Sequence, residues 1–193
     1  YWYDQAMTKL PKLIDATQMI VCGEDLGMVP DCVPWVMNQL QILSLEIQRM
    51  PKDPADNFGH VSKYPERSVC TTGTHDTETL RQWWELDPKL TAQYWREELG
   101  ETSECPTEAS PAICERIVTE HLQSPSLLCI LPLQDWLAID GTLRLPDANA
   151  ERINIPANPR HYWRYRMHLT LEELLKAKKF NAKVASLVSS SNR

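Results

Sequence analysis

The sequence predicts an α/β chain that forms half of a (β/α)8 TIM barrel, and three observations carry that expectation. Short apolar, β-prone runs recur at Met19–Gly23, Leu43–Ile47, Ser68–Thr72 and Leu127–Leu131, each of strand length and not helix length. Amphipathic stretches fall between them, the alternating βα series of a parallel sheet whose faces are covered by helices. Two of the runs end in acids, Val21-Cys22-Gly23-Glu24-Asp25-Leu26-Gly27 and Val69-Cys70-Thr71-Thr72-Gly73-Thr74-His75-Asp76. In such barrels the C-terminal strand ends open onto functional loops, so acids from several strands can line one pocket.

The elements follow in order. Tyr3 to Ala16 places Ala6, Met7, Leu10, Leu13 and Ile14 at helical spacing, and Met19–Gly23 then reads as a buried strand. Val29–Leu40 reads as a helix, with Asp31 near its N-terminus and Val33, Val36, Met37 and Leu40 on one face. After the Leu43–Ile47 strand, Pro51 to Arg67 forms a long polar loop with three prolines and Gly59, and loops of that length inside a compact domain are usually functional. Ser68–Thr72 is the third strand. Helical stretches follow at Thr77–Glu85, Leu90–Leu99 and Ala109–Leu122, then the Leu127–Leu131 strand, and a final amphipathic helix spans Leu171 to Leu187.

Composition bounds the function. The 193 residues can bury a substantial core, and 42% hydrophobic with 24% charged residues fits a folded soluble domain. A net charge of −6 provides no footprint for nucleic acid or an anionic membrane. No apolar stretch approaches the roughly 20 residues that span a bilayer. Cys22, Cys32, Cys70, Cys105, Cys114 and Cys129 form no C-x-x-C pair, which argues against a zinc site or a disulfide framework and for reduced thiols in the cytoplasm. The chain opens Tyr1-Trp2-Tyr3-Asp4-Gln5 without an initiator Met or a signal-peptide core, and is expected to be a piece of a longer protein.

The strand-end acids suit work on a glycosidic bond. Retaining glycosyl transfer needs two carboxyls about 5–5.5 Å apart, a nucleophile and an acid/base. Glu24 is the acid/base candidate, because its longer arm reaches a departing oxygen. Asp76 would fix sugar hydroxyls as the ring distorts, and His75 would donate to the same sugar. Other readings stand beside these. Glu24-Asp25 before Leu26-Gly27 also reads as a turn or capping element, and His75-Asp76-Thr77 as the cap of the helix that holds Trp83 and Trp84. That Trp pair reads either as core or as a sugar platform. Metal binding by His75 and Asp76 lacks a second histidine at a suitable spacing.

Gly23-Glu24-Asp25-Leu26-Gly27 and Thr72-Gly73-Thr74-His75-Asp76 resemble two signatures of the 4-α-glucanotransferases, glycoside hydrolase family 77. Further pieces match in order: Leu45-Glu46-Ile47-Gln48, Leu133-Gln134-Asp135-Trp136-Leu137, Arg152-Ile153-Asn154-Ile155-Pro156 and Trp163-Arg164-Tyr165-Arg166. The resemblance implies a (β/α)8 barrel of which this chain is the C-terminal half, about strands five to eight. It implies Glu24 as acid/base and Asp76 as transition-state stabiliser, with His75 on the donor sugar, Asp25 on the acceptor side and Asn154 at the reaction centre. An α-1,4-glucan donor and a sugar acceptor are the implied partners, with no metal or organic cofactor.

The family's nucleophile motif, Arg-x-Asp-His, is absent from this sequence. Residues 1–193 taken alone are therefore expected to be inactive, and to self-associate through the open edges of a half barrel. Arg49-Met50 and Thr77 depart from the common family pattern and lean toward its plant cytosolic branch. The competing readings are a non-catalytic glucan-binding or scaffold piece, and an α-amylase-type hydrolase.

Overall fold

The structure is a computed structural model that describes residues 1–191 and 193. The chain divides into two compact units, residues 1–71 with 124–130, and residues 72–123 with 131–193.

The first unit holds the sheet. Strands β1 (Ser44–Ile47), β2 (Ser68–Thr71) and β3 (Leu128–Cys129) lie in that order and pair in parallel. Ser44 pairs with Ser68 and Ile47 with Thr71, while Val69 and Cys70 pair with Leu128 and Cys129. All four β2 residues are buried, as befits a strand flanked on both sides. Its polar members are satisfied locally: Ser68 Oγ donates to Ser126 Oγ at 2.7 Å, and Cys70 Sγ lies 3.2 Å from Ser124 Oγ. β3 is shorter than the Leu127–Leu131 expectation.

Met19–Gly23 is not the buried strand its apolar run suggests. It contributes one parallel bridge, Cys22 with Leu43, made by Gly23 N–H donating to Leu43 O and Leu43 N–H donating to Val21 O. Met19 and Ile20 stay 78% and 62% exposed, because among the described residues the bridge ends before it reaches them.

Helices α1 (Trp2–Asp15) and α2 (Val33–Gln39) accompany the sheet, tied by Tyr3 Oη donating to Gln39 Oε1 at 2.7 Å. The α2 helix starts four residues later than its periodicity predicts. Pro30 breaks the start, the Val33 N–H closes a turn on the Pro30 carbonyl, and Cys32, not Asp31, occupies the cap position without a side-chain bond. Val36 and Met37 provide its buried face. The Pro51–Arg67 loop folds around a single 3-10 turn, Val61–Lys63, and buries Phe58, Val61 and Tyr64. Val61 and Tyr64 pack with Cys70 of β2 and with Cys129 of β3.

The second unit is helical: α3 (Leu80–Leu86), α4 (Pro88–Glu97), α5 (Pro111–Leu122), α6 (Leu133–Ala138), α7 (Leu171–Lys176) and α8 (Lys178–Ser190). Their starts follow capping chemistry. Asp87 accepts from the Lys89 and Leu90 N–H groups ahead of Pro88, and Ser110 accepts from Ile113 N–H ahead of Pro111. Thr170 and Glu173 close a reciprocal capping box.

The expected single helix from Leu171 to Leu187 breaks at Ala177, where ψ is 59°, and Asn181 Nδ2 donates to the Leu174 carbonyl at 2.9 Å. Trp83, Trp84, Tyr94 and Trp95 stack edge to face, with centroids 5.2–6.2 Å apart. Trp84 donates from its indole to Pro106 O and is 1% exposed. Trp83-Trp84 is therefore core, not a sugar platform. Burial, helped by the charge of Asp135, pushes the Cys114 thiol up to about 12, so it behaves as a packed apolar group.

Candidate active site

In the first unit, the chain leaves the Cys22 bridge and delivers Glu24 and Asp25. Two glycines shape that delivery. A Cβ on Gly23 would come within 3.1 Å of Met37 Cε and 3.3 Å of Ile42 Cγ2, and Gly27 turns at a φ of 73° that L side chains resist. Glu24 is exposed and makes no hydrogen bond or ion pair among the described residues.

Asp25 is the opposite case, at 8% exposure. Its Oδ1 accepts from Leu45 N–H at 2.9 Å and its Oδ2 from Lys52 Nζ at 2.7 Å. The same ammonium donates to Glu46 Oε1 at 2.7 Å, which also accepts from Ser44 Oγ at 2.9 Å. One cation thus bridges two buried carboxylates that would otherwise repel. The group faces a cavity of about 440 Å³ walled by Met37, Ile42, Pro65 and Arg67.

In the second unit, His75, Asp76 and Asn154 come together. Asn154 Nδ2 donates to Asp76 Oδ1 at 2.6 Å, and His75 Nε2 lies 3.3 Å from Asp76 Oδ2. The His75 ring packs against Trp163, centroid to centroid 4.9 Å. Asn154 is buried, whereas His75 and Asp76 have about half their side-chain surface open, at 52% and 51%. A carboxylate held by Asn154 on one oxygen, flanked by His75 on the other and half open to solvent is suited to accept further bonds from hydroxyls.

The capping alternative for this segment is not what the structure adopts. Thr79 caps α3 by accepting from Gln82 N–H, while Thr77 Oγ1 bonds back to Thr74, leaving Asp76 outside the cap.

A buried polar network holds this segment. Asp135, at 0% exposure, accepts from Thr72 Oγ1 at 2.5 Å and from Leu80 N–H at 2.9 Å. It thereby staples both ends of the loop that carries His75 and Asp76. Gln134 Nε2 donates to the Glu151 carbonyl at 3.2 Å, tying α6 to the stretch that leads to Asn154. The Glu151 carboxylate pairs with Arg81 Nη1 at 2.6 Å and accepts from Thr79 Oγ1 at 3.1 Å. Burial pushes the Glu151 carboxyl up, opposed by Arg81 and Thr79.

Gln134-Asp135 stood out in the sequence only as part of a motif. A carboxylate inside the apolar run Leu131–Leu137 was the available sign of a buried partner. Lys52 carried no such sign. Among the described residues no three His, Cys, Asp or Glu side chains gather as metal ligands, and no helix is long and apolar enough to cross a membrane.

Residues 1–171 match the profile of the 4-alpha-glucanotransferase family. The chain belongs to that family, glycoside hydrolase family 77.

It is 42% identical over 192 residues to the rice 4-alpha-glucanotransferase DPE2, covering 100% of this chain and 20% of that protein. It is 32% identical over 187 residues to the 4-alpha-glucanotransferase of Chlamydia caviae, covering 93% of this chain and 34% of that one. The chain thus spans a fifth to a third of these curated relatives. The amylomaltase from Streptococcus agalactiae, solved in complex with acarbose, superposes with a TM-score of 0.69 over 95% of this chain and 35% of its own, at 18% identity. That likeness shows a shared fold.

Proposed function

We propose that the protein carrying this chain is a 4-α-glucanotransferase, and that residues 1–193 are the C-terminal half of its (β/α)8 barrel. The observation that carries the reading is the Asp76–Asn154–His75 cluster, in which Asp76 and Asn154 meet across 78 positions from the two family motifs that the resemblance links. The parallel β1-β2-β3 sheet, with a further parallel bridge at Cys22, supports the barrel assignment.

In this mechanism a nucleophilic Asp from the preceding half attacks the anomeric carbon of an α-1,4-glucan. Glu24 protonates the departing 4-oxygen, leaving a glycosyl-enzyme. Glu24 then takes the proton from an acceptor's 4-hydroxyl as that oxygen displaces the aspartate. Asp76, held by Asn154, accepts from ring hydroxyls and strengthens those bonds as positive charge develops on the sugar. His75 contacts the donor sugar, and Asp25 serves the acceptor side. With both its oxygens engaged, Asp25 would act through the wall it builds with Lys52.

The test is maltotriose incubated with the full-length protein. Glucose and maltooligosaccharides longer than three units should appear while the number of reducing ends stays constant. Reducing ends that rise in step with turnover would mean hydrolysis and would overturn the transferase reading.

The cytoplasm is the proposed compartment, supported by six free cysteines. A rice and a potato relative, at 26% and 25% identity, carry chloroplastic/amyloplastic names, so a tagged protein found in plastids would contradict it. Taken alone, residues 1–193 should self-associate through open sheet edges. Light scattering at micromolar concentration checks this, a clean monomer being the contrary result.

A further inference from the structure

We propose that Arg152 is the positioning residue for the Asp76–Asn154 pair, an assignment that rests on the reading of Asp76 as the stabilising carboxylate. Its guanidinium reaches both members of the pair through their main chain. Arg152 Nε donates to Asn154 O at 2.6 Å, and Nη2 approaches Asp76 O at 3.4 Å. The remaining amino group, Nη1, donates to Glu78 Oε1 and, at 3.1 Å, to Gln82 Oε1. One planar fork therefore fixes the carbonyl of each residue whose side chains meet in the 2.6 Å bond between Asn154 Nδ2 and Asp76 Oδ1.

The contact to Asp76 O is the longest of the four, so the hold on the loop comes chiefly through Glu78, two residues on. Gln82 then refers the fork to α3, whose first amide is stapled to Asp135. The Arg152 side chain is 12% exposed, so water cannot readily replace these bonds. Lysine cannot replace them either: a point ammonium on a flexible stem cannot span acceptors on three sides, whereas the guanidinium presents five donors in a fixed plane. Asp76 is half open to solvent, and its orientation is set by what lies behind it. A shift of about 1 Å there is of the size that costs on the order of 100-fold in rate.

The experiment compares wild type, Arg152→Ala, Arg152→Lys and Asp76→Asn in the full-length protein. It measures kcat and KM for maltotriose, the melting temperature, and the response to millimolar guanidinium chloride against matched sodium chloride and urea. Arg152→Ala and Arg152→Lys should each lose on the order of 100-fold in kcat with KM within a few-fold of wild type. Guanidinium alone should recover part of the Arg152→Ala loss.

A near-normal kcat in Arg152→Lys overturns the proposal. So does an Arg152→Ala loss that tracks the melting temperature and ignores guanidinium, since a purely structural role predicts that pattern. Asp76→Asn separates the two levels. If it is inactive while both Arg152 variants are normal, only the positioning role fails; if it is active, the reading of Asp76 fails first.

Discussion

Replacing Glu24 with Gln in the full-length protein is expected to lower kcat for glucose release from maltotriose by about three orders of magnitude, within the range that a positioned general acid supplies. Gln keeps the shape of the side chain and removes its exchangeable carboxyl proton, so neither departure of the leaving oxygen nor activation of the acceptor hydroxyl is assisted. The structure makes this substitution unusually clean. Glu24 is exposed and has no hydrogen bond or ion pair among the described residues, so the change breaks no contact and the melting temperature should hold. A large loss of kcat at unchanged stability is a chemical effect. Near-normal turnover would remove Glu24 from the mechanism and return it to a turn residue ahead of Gly27.

The second large effect concerns stability. Glu151→Ala is expected to cost about 3–5 kcal/mol, the range for breaking one side of a buried ion pair. Arg81 and Glu151 have side chains only 5% and 3% exposed, so the substitution leaves a guanidinium inside the second unit. Its bonds to the Leu145 and Pro146 carbonyls keep hydrogen-bond partners but supply no full countercharge. Thr79 also loses its acceptor at the start of α3. Urea denaturation of the full-length protein, followed by a probe in this unit, measures the change. A cost below about 1 kcal/mol would place the pair with exposed ones, which contribute that little.

The sign of the pH dependence follows from burial. The folded Glu151 carboxyl titrates above its ordinary 4.5, so its contribution to stability is fullest below that value and declines as pH rises through the raised one. Acid discharges the carboxylate, yet by this linkage it does not lower the stability that Glu151 contributes.

The elements that were legible in the sequence are those whose signals are local. β1 and β2 follow from β-prone runs, and α5 from apolar spacing behind Ser110-Pro111. Met19–Gly23 carried the same signal as β1 but makes only the Cys22–Leu43 bridge among the described residues, and an apolar run does not report how far a partner lies alongside. Pro30 marks the late start of α2, although the apolar periodicity runs on through it. The break at Ala177 falls among Lys176, Ala177 and Lys178, all good helix formers, so propensity offers no warning. Helix α6 is six residues long, too short for a periodic pattern.

The same division runs through the site. Glu24, His75 and Asp76 are visible as acids and a histidine at strand ends. Their partners are long-range: Asp25 meets Lys52 across 27 residues, and Asp76 meets Asn154 across 78. No spacing rule announces such pairs, and family resemblance alone marks Asn154 in the sequence.

The most direct test of the account gives the full-length protein unlabelled maltotriose with 13C-glucose as acceptor, and reads the linkage of the label by NMR during early turnover. Label is expected at the reducing end of maltose and longer chains, joined only through new α-1,4 bonds. Label joined through β bonds would contradict the double displacement assigned to Glu24 and its upstream nucleophile, and label left as free glucose while maltotriose disappears would contradict transfer itself.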